Sequence, residues 1–143
     1  MKSILPYKDI CDADITKIEQ CTESITLHIT NVVHEDAYYN VILAFFVDLG
    51  DVNYYHYKQY PRFHSVHFRG QEVDFKKMRE HLEKSGTMMI MDNVIDSDHR
   101  RIILTCELRP FKGGGEYRQI IIDIKNLKRT QVLLEEMTGE YTG

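Results

Sequence analysis

Tryptophan is absent from this sequence of 143 residues, and cysteine and proline occur only three times each. Cys11, Cys21 and Cys106 are widely spaced and include no Cys-x-x-Cys pair, which excludes a disulfide framework and a zinc-ribbon ligand set. So few prolines, with only eight glycines, exclude collagen and low-complexity disorder. The longest uninterrupted apolar run, Val41 to Val47, is far short of the roughly 20 residues that span a bilayer. Met1 to Ile10 carries Pro6, Lys8 and Asp9 where a signal peptide needs apolar residues, so a cytoplasmic protein without a membrane partner is expected. Positive charge is also short: 18 basic residues against 22 acidic ones give −4, which argues against nucleic acid as a partner. The deficit lies in residues 1–60, with 4 basic and 9 acidic residues, and suits a face that docks a basic protein.

What is present is period-two patterning. Ile25, Leu27 and Ile29 alternate with Thr26, His28 and Thr30, marking a half-buried strand, and a shorter strand over Ile15 to Cys21 precedes it. Ala37 to Val47 is apolar on both parities, as expected of a central strand covered on both faces. Val52 to Tyr60 is rich in aromatic β-formers, and Phe63 to Phe68 resumes as a short strand beyond Pro61. Asp74 can cap a helix over 74–85 in which Phe75, Met78 and Leu82 share a face and Gly86 supplies the stop. Thr87 to Ile95, Arg101 to Arg109 and Tyr117 to Ile124 read as consecutive antiparallel strands. Leu127, Thr130, Leu134 and Met137 form a stripe that predicts a C-terminal helix over 127–137, with a strand over Thr130 to Leu134 as the alternative. Lys128 and Arg129 near the helix N-terminus, and Glu135 and Glu136 near its C-terminus, oppose the macrodipole.

These elements predict one α+β domain over 1–143. Its mostly antiparallel sheet would have about seven or eight strands, since a parallel sheet would need a helix between successive strands. Cys21 and Cys106 stand in apolar alternation and are expected to be small core residues.

Motifs with chemistry are few. Gly113, Gly114 and Gly115 follow Lys112 instead of preceding it and so form a hairpin loop, not a phosphate cradle. His34-Glu35 lacks a second histidine at Tyr38, and His64 and His67 fall on opposite faces of a strand, so no metal site and no cofactor is expected. Asp12 and Asp14, close to Asp9, suit turns and strand entry, where carboxylates bond nearby amides. No Gly-x-Ser-x-Gly elbow or local cysteine signature marks a nucleophile, and no catalytic residue is assigned. The densest unusual composition is Tyr54, Tyr55, His56, Tyr57 and Tyr60. Here Tyr55 and Tyr57 share one strand face, and Tyr54, His56 and Tyr60 share the other. A strand with neither face cleanly apolar suits a sheet rim that anchors a protein partner.

The opening Cys11, Asp12, Ala13, Asp14, Ile15, then Ile18, then Ile25, Leu27 and Ile29 resembles the start of certain small bacterial β-rich proteins, some grouped with immunity proteins of polymorphic toxin systems. Those proteins open with a His-Asp-Ser or His-Asp-Ala step before a hairpin, and Cys11 stands in place of that His. The likeness covers about residues 7–29 and implies a non-catalytic protein that occludes a partner. The leading expectation is therefore a non-enzymatic protein-binding module, monomeric or weakly dimeric. The alternative is a small-ligand or metal-dependent enzyme with a pocket at one end of the sheet, using Asp12, Asp14, His64 or His67.

Overall fold

The computed structural model describes residues 10–34, 36–58, 70–109 and 116–137, which form nine strands and one α-helix. In chain order the strands are β1 (Asp14–Cys21), β2 (Ser24–His34), β3 (Ala37–Phe46), β4 (Val52–Tyr57) and β5 (Gln71–Val73). After helix α1 (Phe75–Ser85) come β6 (Thr87–Asp96), β7 (Arg101–Arg109), β8 (Tyr117–Asp123) and β9 (Arg129–Glu136). All pair antiparallel in one sheet of order β5-β4-β8-β7-β6-β1-β2-β3-β9. Among the described residues no helix is long and apolar enough to cross a membrane.

Local chemistry explains the elements. The Asp74 carboxylate accepts from the Lys77 amide at 2.8 Å, and Gly86, at φ +90°, closes α1 in a conformation that costs a residue without Cβ least. Met78 and Leu82 on the buried face pack onto the sheet, and Phe75 packs beside them. In the sheet, inward residues alternate: Ile25, Leu27 and Ile29 on β2, Val41, Leu43 and Phe45 on β3, Ile102, Leu104 and Cys106 on β7, and Ile120 and Ile122 on β8. Register shifts between Ile29 and Val32, and between Ile90 and Asp92, mark bulges that bend these strands.

The connections require that the sheet roll up. β3 and β4 lie six strand steps apart in the order, about 29 Å along a flat sheet at the usual spacing. The chain from Phe46 to Val52 spans about 21 Å at full stretch, and part of it is a 3-10 turn over Leu49–Asp51. Asp123 to Arg129 makes an equal crossing from β8 to β9. The ends of β3 and β9 must therefore curl back toward β4 and β8. Tyr54 of β4 shows the result: its hydroxyl donates to Gln20 Oε1 of β1 at 2.8 Å across the inside of the roll, although four strand steps separate the two strands.

Several expectations need correction. The segment 127–137 is not a helix: Arg129 to Glu136 pairs residue by residue with β3, from Arg129↔Phe46 to Glu136↔Tyr39. Eight ladder pairs outweigh a helical stripe whose end charges oppose its own dipole. Among the described residues the sheet has nine strands, because β5 and β9 add to seven of the expected ones. β3 is second from an edge, and its outer residues Ile42 and Phe46 are half-buried beside β9, with the Arg129 guanidinium 4.1 Å from the Phe46 ring. Cys21 is exposed, whereas Cys106 is buried in the core. The strand expected over Phe63 to Phe68 and the Gly113–Gly115 loop lie outside the described residues.

Candidate functional site

The aromatic strand divides as its parity requires. Tyr54 opposes Ile120 and points into the core at 3% exposure, its ring centroid 6.0 Å from that of Phe75. Burial raises its phenol above the ordinary range. Tyr55 and Tyr57 take the outer face, their rings tilted with centroids 6.4 Å apart. Tyr57 packs the far end of its ring on Gly70, where a Cβ would come 2.4 Å from Cζ, so a larger residue there would have to displace the tyrosine. Both outer tyrosines are half-buried, and Tyr54 is not available as a surface anchor. Tyr60 lies outside the described residues.

His56 shares the inner face with a polar cluster. Arg118, a buried arginine opposite His56 on β8, donates from Nε to His81 Nδ1 of α1 at 3.1 Å and from one terminal nitrogen to Glu116 at 3.3 Å. The His56 and His81 rings stand edge-on with centroids 6.4 Å apart. Burial, with the Arg118 charge second, lowers the pKa of both histidines and favours neutral imidazoles. Glu116 opposes this shift at His56, where it lies 3.5 Å from Nε2. The sequence does hold a signal for this cluster: Arg118 falls on the apolar parity of Ile120 and Ile122, and His81 adjoins Leu82 on the buried side of α1.

The other candidate residues do not join it. Asp12 is exposed at φ +70°. Asp14 is buried at the start of β1 and accepts from Asn31 Nδ2 at 3.1 Å, while Asp14 Oδ1 and Asn31 Oδ1 are buried with no hydrogen-bond partner among the described residues. His64 and His67 lie outside the described residues, among which no three His, Cys, Asp or Glu side chains come together as metal ligands.

A different surface stands out on the outer side of β1, β2, β3 and β9. A groove of about 570 Å³ runs over Thr16, His28, Thr30, Asn40, Ile42 and Leu133. Its polar wall is ordered: Thr30 donates to Asn40 Oδ1 at 2.6 Å, and His28 bonds Glu19, which holds that carboxyl below its usual range. Four of the five large hydrophobic residues most exposed among the described residues lie in β2, β3 and β9: Val33 at 57%, Tyr38 at 38% and Leu133 at 54% on the outer face, and Leu134 at 51% on the inner side of β9. Sequence reasoning missed this surface because the helix expected over 127–137 hid Leu133, which strand β9 sets on the outer face opposite Ile42. No family model, curated protein or solved structure matches the chain.

Proposed function

We propose that the protein is a non-enzymatic module that binds and occludes a protein partner through the outer face of β2, β3 and β9. The observation that carries this reading is that Val33, Tyr38 and Leu133 stand exposed on the outer face of three adjacent strands, beside an open groove that Ile42 and Leu133 help to line. A chain with a complete core elsewhere gains nothing by exposing such residues, and exposed apolar side chains clustered about a groove mark association sites. Acidic Glu19 and Glu135 border the groove, so the partner presents apolar side chains flanked by basic ones. The immunity-protein resemblance of residues 7–29 fits the same role.

The test is co-purification from the native host under crosslinking. Wild type is expected to retain a stoichiometric partner that the folded Val33→Lys/Ile42→Lys variant loses. Retention by that variant, with loss instead in Tyr55→Ala/Tyr57→Ala, would move the interface to the aromatic strand.

A second reading, a small anionic ligand held inside the roll, rests on Arg118 buried between His56 and His81. In that case inorganic phosphate would shift the ring signals of both histidines in an NMR titration of wild type and leave them unmoved in Arg118→Gln.

A further inference from the structure

The two edges of the sheet differ in kind. β5 is three residues long and carries the exposed pair Gln71 and Glu72, so it offers little to pair with. β9 is eight residues long, contains no proline, and pairs with β3 without a register shift. Among the described residues its other side is open. A long, regular edge is a template for another strand unless something covers it.

Hydrogen-bond phase shows what β9 offers. The Met137 amide donates to the Tyr38 carbonyl at 2.8 Å, in line with the β3–β9 register. In an antiparallel ladder alternate residues turn both backbone groups to the same side. The odd residues of β9 therefore bond β3, and Thr130, Val132, Leu134 and Glu136 direct N–H and C=O to the open edge. Leu134 opposes the buried Val41 and points inward, yet it is 51% exposed because no strand lies beyond it.

Charge selects the occupant. β9 and the residue before it run from a basic end, Lys128 and Arg129, to an acidic end, Glu135 and Glu136. Such a strand is complementary to itself when reversed. A two-fold axis perpendicular to the sheet keeps outer residues outer, so only registers that pair odd with odd and even with even are allowed. Among these, the one centred on Val132 places Arg129 opposite Glu135 twice, Gln131 opposite Leu133 and Thr130 opposite Leu134. Moving the centre to Leu133 sets Glu135 against Gln131, and moving it to Gln131 sets Arg129 against Leu133, so neither neutralises the ends.

We infer that the protein forms a symmetric homodimer in which β9 pairs antiparallel with β9 of a second copy about Val132, making one continuous sheet. This deepens the proposed docking surface and rests on that reading, naming a second copy as the partner at its edge. The pairing covers Leu134 and sets Leu133 diagonally across from its symmetry mate on the outer face.

Sedimentation equilibrium and light scattering on the full chain test it. Wild type should give twice the 16.9 kDa chain mass at micromolar concentration. Val132→Pro removes an amide that faces only the open edge, so its circular dichroism should stay native while its mass falls to one chain. Arg129→Glu and Glu135→Arg should each weaken the dimer at least tenfold, and their equimolar mixture should restore it as a heterodimer. A wild type that is monomeric at about 100 µM overturns the inference. So does a dimer that survives Val132→Pro, or a mixture no tighter than its components. A monomer that still captures a partner lost in Val33→Lys/Ile42→Lys would sink the dimer alone and leave the proposed function standing.

Discussion

Replacing Tyr54 separates the ring from the hydroxyl and tests the rolled sheet directly. Tyr54 is 3% exposed and packs against Phe75, so Tyr54→Ala should cost about 3–5 kcal/mol, the range for deleting a buried aromatic ring. Tyr54→Phe keeps the ring and loses only the 2.8 Å bond to Gln20, worth about 0.5–1.5 kcal/mol because half-buried Gln20 can turn to water instead. Against a total stability of about 5–15 kcal/mol the alanine variant is severely weakened and the phenylalanine variant is not. In urea, with a slope of about 1–3 kcal/mol/M, the alanine midpoint should fall by more than about 1 M. The phenol also predicts a pH effect. Its folded pKa is raised by burial, so the contribution is intact below the ordinary value of about 10 and is lost as pH rises above it. Tyr54→Phe should remove that alkaline component. An alanine loss below about 1 kcal/mol, or a phenylalanine loss equal to it, would refute the inward placement and the contact across the roll.

Leu82→Ala should cost about 2–5 kcal/mol and Asp74→Ala about 1 kcal/mol in denaturant titrations, the first from the core face of α1 and the second from its cap. His56 and His81 have lowered folded pKa values, so the stability they carry is complete above their ordinary pKa near 6.5 and drains as pH falls below it. Thermal melts from pH 7.5 to 5 should show this decline, and His56→Gln/His81→Gln should flatten it. Alkylation followed by mass spectrometry should label exposed Cys21 first and Cys106 only on unfolding, since burial pushes the Cys106 thiol up to about 12.

Most elements were legible because their signals are local. Asp74, the Phe75-Met78-Leu82 spacing and Gly86 specify α1 within thirteen residues, and the alternation in Ile25 to Thr30 specifies β2. Parity also separated Tyr54 and His56 from Tyr55 and Tyr57, although it does not say which face is the core. β9 was harder because Thr130 and Leu134 fit both a helical stripe and a strand. The decision lies in pairing with β3, a partner 83 positions away in the Arg129↔Phe46 pair. The Arg118 cluster was hidden for the same reason: His81 and Arg118 lie 37 positions apart, and only strand order brings them together.

The junction between β1 and β6 has a consequence for how the chain folds. Their register comprises only Asp14↔Met89 and Ile15↔Met88, extended by amide bonds from Asp12 to the Ile90 carbonyl and from Ile90 to the Ala13 carbonyl, each 2.8 Å. On one side of this seam β1, β2 and β3 form a meander of short hairpins, and on the other β6, β7 and β8 do the same. Each meander closes small loops, whereas Asp14 and Met89 are 75 positions apart, and bringing them together from an open chain costs about 4 kcal/mol of loop entropy. The meanders should therefore form first, on the microsecond scale of hairpins, and the seam should close in a later, rate-limiting step. Helix α1 packs against both β1 and β6, so its docking and the closing of the seam are one event. Substitutions at Met78 or Leu82 should slow refolding, whereas changes within the β2–β3 hairpin should mainly speed unfolding.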